Sequence, residues 1–221
     1  MSGKGLSGLS SVELSMLRYS LSCSIDKLQQ ELDNRMRWQR NPLLPDATRV
    51  DPGAVYDWIA QTALTIFDCQ QVSLMVFYPD TEELVVRSAI GHADMARALG
   101  ASQKLGEGVA GWVAKRQDAL ILGPKVQPGQ FKNFQIKVHP IAAAMIVPLL
   151  LGDRLTGVLN VSSRSSNASY SKNDLESLRF LAQVAATYCH QAREIEWMTE
   201  TLEKLDAVLQ TEKLDFLRKT A

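Results

Sequence analysis

Three glycines spaced as in a phosphate-binding loop are the first residues whose pattern could do chemistry. Gly106-Glu107-Gly108-Val109-Ala110-Gly111 reads G-x-G-x-x-G, in which backbone N–H groups at a helix start hold a pyrophosphate. That chemistry needs a buried strand before the first glycine and an acidic residue about 20 positions further on. Residues 96–104 are polar and read as a helix or loop instead, and the acidic position falls in residues 124–127, which read as a loop. The pattern therefore predicts a sharp turn into a short helix with one apolar face.

Cysteines and histidines are the next side chains that could bind a metal or act as nucleophiles. Cys23, Cys69 and Cys189 are far apart, odd in number and never in a C-x-x-C pair, so they predict small buried residues rather than a disulfide or a zinc site. His92 and His139 could each ligate a haem iron, but neither has a second ligand at suitable spacing. We expect no metal, and the chain shows no catalytic Ser/His/Asp arrangement or paired carboxylates.

The loop Gly123–His139 is the segment best suited to contact a ligand. It carries alternating basic and aromatic residues: Lys125, Phe131, Lys132, Phe134 and Lys137. Such a composition could clamp an anionic or planar ligand, or stack single-stranded nucleic acid. The alternative is a surface loop with solvated lysines and two phenylalanines packed on a sheet. As a whole, the loop is the candidate lid of a pocket.

Composition excludes several classes of protein. The 221 residues are 46% hydrophobic and 22% charged, with a formal net charge of zero, so no global field attracts nucleic acid or an anionic membrane. The first residues contain no apolar segment typical of a signal peptide. The longest apolar run, Ile141–Leu151, contains a proline and is too short to span a bilayer. We expect a soluble, cytoplasmic protein that binds neither nucleic acid nor a membrane.

The elements that must position these residues begin with two predicted hairpins. Val72–Tyr78 pairs with Leu84–Ile90 and Ile141–Leu150 with Leu155–Ser163, because both connections are short and turn-forming. Residues 119–122 add a short strand. The last strand has a Leu/Val face, expected to carry helices, and a more polar face, expected to lie toward the long loop.

Helices are predicted before and after these strands in the sequence. The first runs to about Trp38 with a narrow apolar seam, and a second starts at Asp51-Pro52. The last starts at Ser171 and Asp174, which form a capping box. Its apolar residues keep heptad-like spacing to Phe216, which requires a partner for its second half. The predicted organisation is an N-terminal helix (1–40), a linker (41–50), a central domain (51–190) and a coiled-coil-like helix (191–221).

The central domain resembles a GAF domain, the sensory module of cyclic-nucleotide phosphodiesterases, phytochromes and many bacterial regulators. Gly106–Ala114 (GEGVAGWVA), Val147–Val161 (VPLLLGDRLTGVLNV) and Tyr170–Tyr188 carry the resemblance, which covers about Asp51–Cys189. It implies an α+β, profilin/PAS-like fold with an antiparallel sheet of five to six strands. The terminal helices would cover one face of the sheet and a ligand pocket the other, and a long coiled-coil-like C-terminal helix would follow.

Signatures of the specialised members of that family do not fit. The N-K…F…D-E pattern of cyclic-nucleotide binding cannot be placed, and Cys189-His190, which has the letters of a bilin attachment site, falls on a helix. Free methionine sulfoxide reductases need cysteines around the pocket, and Gly91–Val161 contains none. The resemblance therefore implies a non-catalytic module with no evident cofactor, and it disfavours haem and bilin. Alternatives are a ligand-less dimerising adaptor and, with less support, a reductase-like enzyme.

Two sets of residues follow from the resemblance and the helical seams. The candidate pocket consists of Phe77, Trp112, Phe131, Phe134, His139, Met145 and Asn160. The candidate homodimer interface consists of Leu21, Leu28, Ile195, Met198, Leu202, Leu205 and Leu209. We expect an unidentified small-molecule ligand and a separate signalling partner protein.

Overall fold

The computed structural model describes residues 11–38, 51–91, 98–123, 142–165 and 167–220. The chain divides into two compact units. One, the sheet unit, is Pro45–Ala192, and the other, the helical unit, combines Met1–Leu44 with Arg193–Ala221.

Four helices and six strands make up the described part of the chain. The helices are α1 (Ser11–Trp38), α2 (Pro52–Ile66), α3 (Gly108–Arg116) and α4 (Lys172–Thr220). The strands are β1 (Gln71–Tyr78), β2 (Glu83–Ile90), β3 (Ser102–Lys104), β4 (Leu120–Leu122), β5 (Ala143–Leu151) and β6 (Arg154–Ser163).

All six strands form one antiparallel sheet in the order β3-β2-β1-β6-β5-β4. Both predicted hairpins, β1–β2 and β5–β6, are confirmed, and the first strand of one pairs with the last strand of the other at the centre of the sheet. Residues 102–104, expected within a helix or loop, instead form the edge strand β3 on β2. The prediction failed because three polar residues carry no hydrophobic period.

One face of the sheet carries α2 and the first part of α4. The core there combines residues of both helices with alternate residues of β1, β5 and β6: Val55, Tyr56, Ile59, Leu74, Val147, Leu159, Leu178, Ala182, Ala185 and Cys189. Within the sheet unit, four of the six buried residues of α4 are alanines, whose small side chains let the helix lie close to the strands. The Leu/Val face of β6 thus carries helices as predicted, except that Leu155 packs on the opposite side, beyond the register shift at Leu149/Leu150.

Polar contacts hold α2 to its place on this face. Asp51 caps the helix by accepting a hydrogen bond from the Gly53 N–H at 2.8 Å. Ser88 Oγ on β2 donates to Asp57 Oδ1 at 2.6 Å, and the Arg87 guanidinium stands 5.5 Å from the centre of the Tyr56 ring. These contacts fix the helix against β2 as well as against the central strands.

The opposite face carries α3 over an apolar cluster, the α3 cluster. Its buried members are Met75, Leu84, Val113, Ala114, Ala144, Ile146 and Val158. Both faces of the sheet thus carry helices. The predicted fold class, an α+β antiparallel sheet of five to six strands with a long C-terminal helix, is confirmed, and the sheet has six strands.

The helical unit contains α1 and the last part of α4. Ile25, Ile195, Met198 and Leu202 are buried within a single chain, and Leu28, Leu205 and Leu209 are half-buried. The side chain of Leu21 lies outside the described residues. Along the described helices, no segment is both long enough and apolar enough to cross a membrane.

Candidate functional site

A polar strip lies beside the α3 cluster on the same face of the sheet. Strand alternation puts Asn160 and Ser162 on the side of Val158, and Gln71 and Ser73 on the side of Met75. Ala89 pairs with Ser73 and Ala144 pairs with Ser162 across the ladder, and both alanines have small side chains. We call Gln71, Ser73, Ala89, Ala144, Asn160 and Ser162 the polar floor.

Two polar atoms of the floor have no hydrogen-bond partner within the described part of the chain. The Asn160 side-chain N–H donates to Ser73 Oγ at 3.4 Å, which leaves Asn160 Oδ1 unpaired. Ser162 Oγ is also unpaired, although the residue is only 1% exposed. Gln71, in contrast, donates from Nε2 to the Gly91 carbonyl at 3.1 Å. Buried polar groups without partners are rare in folded proteins and are costly, so these two oxygens mark a place for another hydrogen-bonding group.

The floor residues themselves offer hydrogen bonds rather than acid–base groups. All six side chains are uncharged, and no acid or base of the floor stands ready to activate the Ser162 hydroxyl, a weak nucleophile on its own. A charged ligand atom placed here would be buried without a counter-charge from the floor, at high cost. The floor therefore favours a neutral group that donates a hydrogen bond to Asn160 Oδ1.

The predicted pocket residues divide among three places. Asn160 lies on the floor, while Phe77 and Trp112 pack in the α3 cluster, with the Arg116 guanidinium 4.9 Å from the Trp112 ring. Phe131, Phe134 and His139 lie outside the described residues, as does His92.

Met145 does not line this face. It is fully buried in the core on the helix-bearing side, because Ala144 and Ile146 take the alternate positions toward α3. Nearly every residue of β5 is buried, so its hydrophobicity does not alternate and the sequence did not show which residues face which side.

Ser73 and Ser162 were missed as site residues. The sequence indicates a more polar face of β6, and from that face only Asn160 is predicted as a pocket residue. Ser73 had a weaker signal, a hydroxyl in an otherwise apolar strand.

The glycine turn is a structural device. Gly106 and Gly108 have φ of +83° and +56°, a conformation that favours glycine. The Gly106 N–H donates to the Gly111 carbonyl at 2.7 Å, and the Gly111 N–H donates to the Glu107 carbonyl at 3.1 Å. Both donors are thus used inside the turn and are not directed at a phosphate, and the predicted turn into a short helix is confirmed.

None of the three cysteines is a floor residue. Cys189 is buried in the helix-bearing core, Cys23 is on α1, and Cys69 is half-buried after α2. Burial, assisted by the Asp68 carboxylate, raises the pKa of Cys69 to about 11. Its thiol is therefore protonated at neutral pH, which makes it a poor nucleophile.

A metal site does not emerge from the described residues, among which no group of three His, Cys, Asp or Glu side chains could hold an ion. The fold defines a class: an α+β domain with two helices on one face of an antiparallel six-stranded sheet and a short helix on the other. The family model of the GAF domain matches residues 50–188, more than half of the chain. The chain belongs to the GAF domain family.

Solved structures share this fold at low sequence identity. The GAF-B domain of DevS from Mycobacterium smegmatis is 23% identical, with a TM-score of 0.52, over 67% of this chain and 99% of that one. The GAF domain of a phosphoenolpyruvate-protein phosphotransferase from Coxiella burnetii is 16% identical, with a TM-score of 0.57, over 78% and 94%. A free methionine-R-sulfoxide reductase from Neisseria meningitidis, solved with its substrate, is 17% identical, with a TM-score of 0.53, over 77% and 93%. No protein of curated function matches the chain.

Proposed function

We propose that this protein is a non-catalytic sensory or regulatory module that binds a small molecule over the polar floor. The observation that carries the proposal is the pair of unpartnered oxygens, Asn160 Oδ1 and Ser162 Oγ, on one face of β6. Leaving such atoms unsatisfied costs about 1–3 kcal/mol each. A ligand that satisfies them converts this cost into binding free energy.

The chemistry of the floor limits the class of ligand. Asn160 Oδ1 only accepts hydrogen bonds, whereas a serine hydroxyl both donates and accepts. Two residues apart on a strand, they stand roughly 6–7 Å apart. A neutral molecule with an N–H or O–H donor and a second polar group at about that spacing meets both requirements.

The central position of β6 offers a route from the floor to the helices. Asn160 lies between Leu159 and Val161, whose side chains pack on the opposite side in the core with α2 and α4. A ligand that moves β6 would shift the packing of α4, which continues past Arg193 as one helix. Such a shift requires two packings that the ligand binds with different affinity.

The homodimer through the terminal helices remains part of the proposal. Ile195, Met198 and Leu202 are already buried within one chain, so dimerisation must either use exposed positions beside them or repack the unit. Trp197 is 52% exposed on this helix. A separate signalling partner would then read the state of the dimer.

Thiol catalysis is disfavoured by the positions of the cysteines. A reductase of the Neisseria type shares the fold, but here residues 91–161 contain no cysteine. Cys69 is protonated at neutral pH, and Cys189 is enclosed on the far side of the sheet.

A ligand-less adaptor is the second candidate, and the α3 cluster favours it. Phe77, Val113 and Ile146 already fill part of the face with the protein's own side chains. In that case the floor oxygens would be satisfied by ordered water.

Native mass spectrometry of the purified full chain, beside its visible absorption spectrum, tests the proposal. We expect a dimer with a small additional mass that is lost in Asn160→Leu and retained in the control Ser163→Ala, whose serine lies one position past Ser162. A ligand-free protein whose melting temperature no neutral amide or polyol raises would favour the adaptor. Truncation after Gln191 should abolish dimerisation, and an unchanged dimer would contradict the helical interface.

A further inference from the structure

We propose that a second copy of this chain docks on the sheet unit through Phe180 and the groove beside it. The groove is lined by residues of α4, the end of α3 and the β5–β6 hairpin: Gln117, Pro148, Leu150, Gly152, Phe180 and Gln183. We call these residues the Phe180 surface. None of these residues belongs to the polar floor, so the surface is separate from the proposed ligand site.

The apolar exposure of α4 at this point is unusual for a helix in water. Phe180 is 71% exposed, and Val184, one turn further on, is 42% exposed. From residue 180 to residue 192 the helix carries no Asp, Glu, Lys or Arg. A helix whose outer face lacks charged residues usually has that face covered.

A projecting ring and a groove stand side by side on the same surface. The groove has a volume of about 710 Å³, and Pro148 and Leu150 of β5 give it an apolar wall. In a dimer with two-fold symmetry the same patch meets itself, so each protomer must supply both halves of every contact. A phenylalanine beside a groove meets that condition, because each ring can enter the groove of the other protomer.

The charges at the rim are also compatible with self-docking. Glu176 and Arg179, of opposite sign, lie within one turn of α4, and their side chains stand 3.6 Å apart. Arg179 also pairs with Asp118 at 3.2 Å. Two copies that meet here bring no excess of like charge together, and a two-fold axis can place Glu176 of one protomer near the partner's Arg179. A strongly charged partner finds no complementary field on this surface.

This inference rests on the proposed function only for the existence of a homodimer. It does not depend on the ligand, and it places a contact in the sheet unit rather than in the helical unit.

Sedimentation equilibrium of the full chain tests the docking. Phe180→Ala should raise the dimer dissociation constant by about tenfold or more, since a buried aromatic anchor dominates such interfaces. Leu99→Ala is the matched control, because Leu99 is 47% exposed in the same unit but does not line the groove. It should leave the constant unchanged, and circular dichroism should show that both variants are folded.

A second variant tests the groove. Gly152 has a φ of +61° and no atom within 4 Å of an added Cβ, so Gly152→Asn introduces bulk at a position where asparagine tolerates the backbone. It should weaken the dimer as Phe180→Ala does. Mixing the two variants restores one ring-and-groove contact, so the mixture should dimerise more tightly than either variant alone.

Three results would overturn the inference. The first is a full-length protein that stays monomeric. The second is a dimer whose dissociation constant does not change with Phe180→Ala. The third is a mixture of the two variants that dimerises no more tightly than either variant alone. A dimer that is unaffected by Phe180→Ala but is lost on truncation after Gln191 would contradict the Phe180 surface and support the helical interface of the proposed function. A dimer lost with Phe180→Ala but kept after that truncation would support the Phe180 surface and contradict the helical interface.

Discussion

Asn160 on β6 donates its side-chain N–H to Ser73 Oγ on β1 at 3.4 Å, across the two central strands of the sheet. The bond orients the amide so that Oδ1 stays free on the same face as the unpaired Ser162 Oγ. Because Ser73 and Asn160 are direct partners in the ladder, the orientation is set by the register of the sheet itself.

Ser162→Ala should stabilise the ligand-free protein. The substitution removes a buried hydroxyl that has no hydrogen-bond partner among the described residues, so the free energy of unfolding should rise by about 1 kcal/mol. Urea denaturation measures the change. At the same time the variant should bind the ligand more weakly, a trade of stability against function that is common at binding sites.

Ser88→Ala is the matched control, because it removes a buried hydroxyl that makes a hydrogen bond. Ser88 Oγ donates to Asp57 at 2.6 Å, and its loss should lower the free energy of unfolding by about 1–2 kcal/mol. Two identical substitutions in buried strand positions should thus differ in sign. Equal destabilisation by both would indicate that Ser162 has a hydrogen-bond partner after all.

Gly111→Ala should destabilise the sheet unit. A Cβ at this position would lie 2.4 Å from the Lys104 carbonyl oxygen, so the backbone must shift, at a cost of about 1–3 kcal/mol. Gly123→Ala is the control, since an added Cβ there meets no atom within 4 Å. Thermal unfolding compares the two. If instead Gly111→Ala were neutral in stability, the close approach would have no structural role.

The sequence predicts most of the fold because its signals there are strong. Both hairpins have short polar turns between apolar strands, and the cap at Ser171 and Asp174 marks the start of α4 to within a residue. The edge strand β3 lacked any such signal, since its pairing with β2 depends on the tertiary fold.

The site was less predictable for a physical reason. A strand buried on both faces, such as β5, shows no alternation, so the side that Met145 faces could not be read. An unpaired hydroxyl is likewise a property of the packed structure, because only the positions of its neighbours show that Ser162 has no partner.

Cys69 should react slowly with iodoacetamide at pH 8. Its pKa is raised from 9.0 to about 11, so the reactive thiolate is about a hundredfold scarcer than in an exposed cysteine. A variant with Cys23→Ser and Cys189→Ala isolates this thiol, and the same variant in urea is the control. Because the folded pKa is raised, this group stabilises the fold below pH 9 and loses that contribution as the pH rises through about 11. Labelling at the rate of the unfolded control would contradict the burial of the thiol.

Asp174 should make the stability of the sheet unit depend on acid pH. Its carboxylate accepts hydrogen bonds from the Ser171 N–H and Oγ, both at 2.7 Å, and these bonds lower its pKa below the ordinary 3.8. A lowered pKa stabilises the fold above about pH 3.8, and the contribution is lost as the pH falls through the lowered value. Asp174→Asn keeps an oxygen acceptor but removes the charge, so it should be less stable than the natural protein at pH 7, and the difference should narrow as the pH falls below 3.8. Urea denaturation of both proteins at pH 7 and at a series of acid pH values measures this difference. A gap that stays constant with pH would assign the effect of the substitution to packing rather than to the charged capping box.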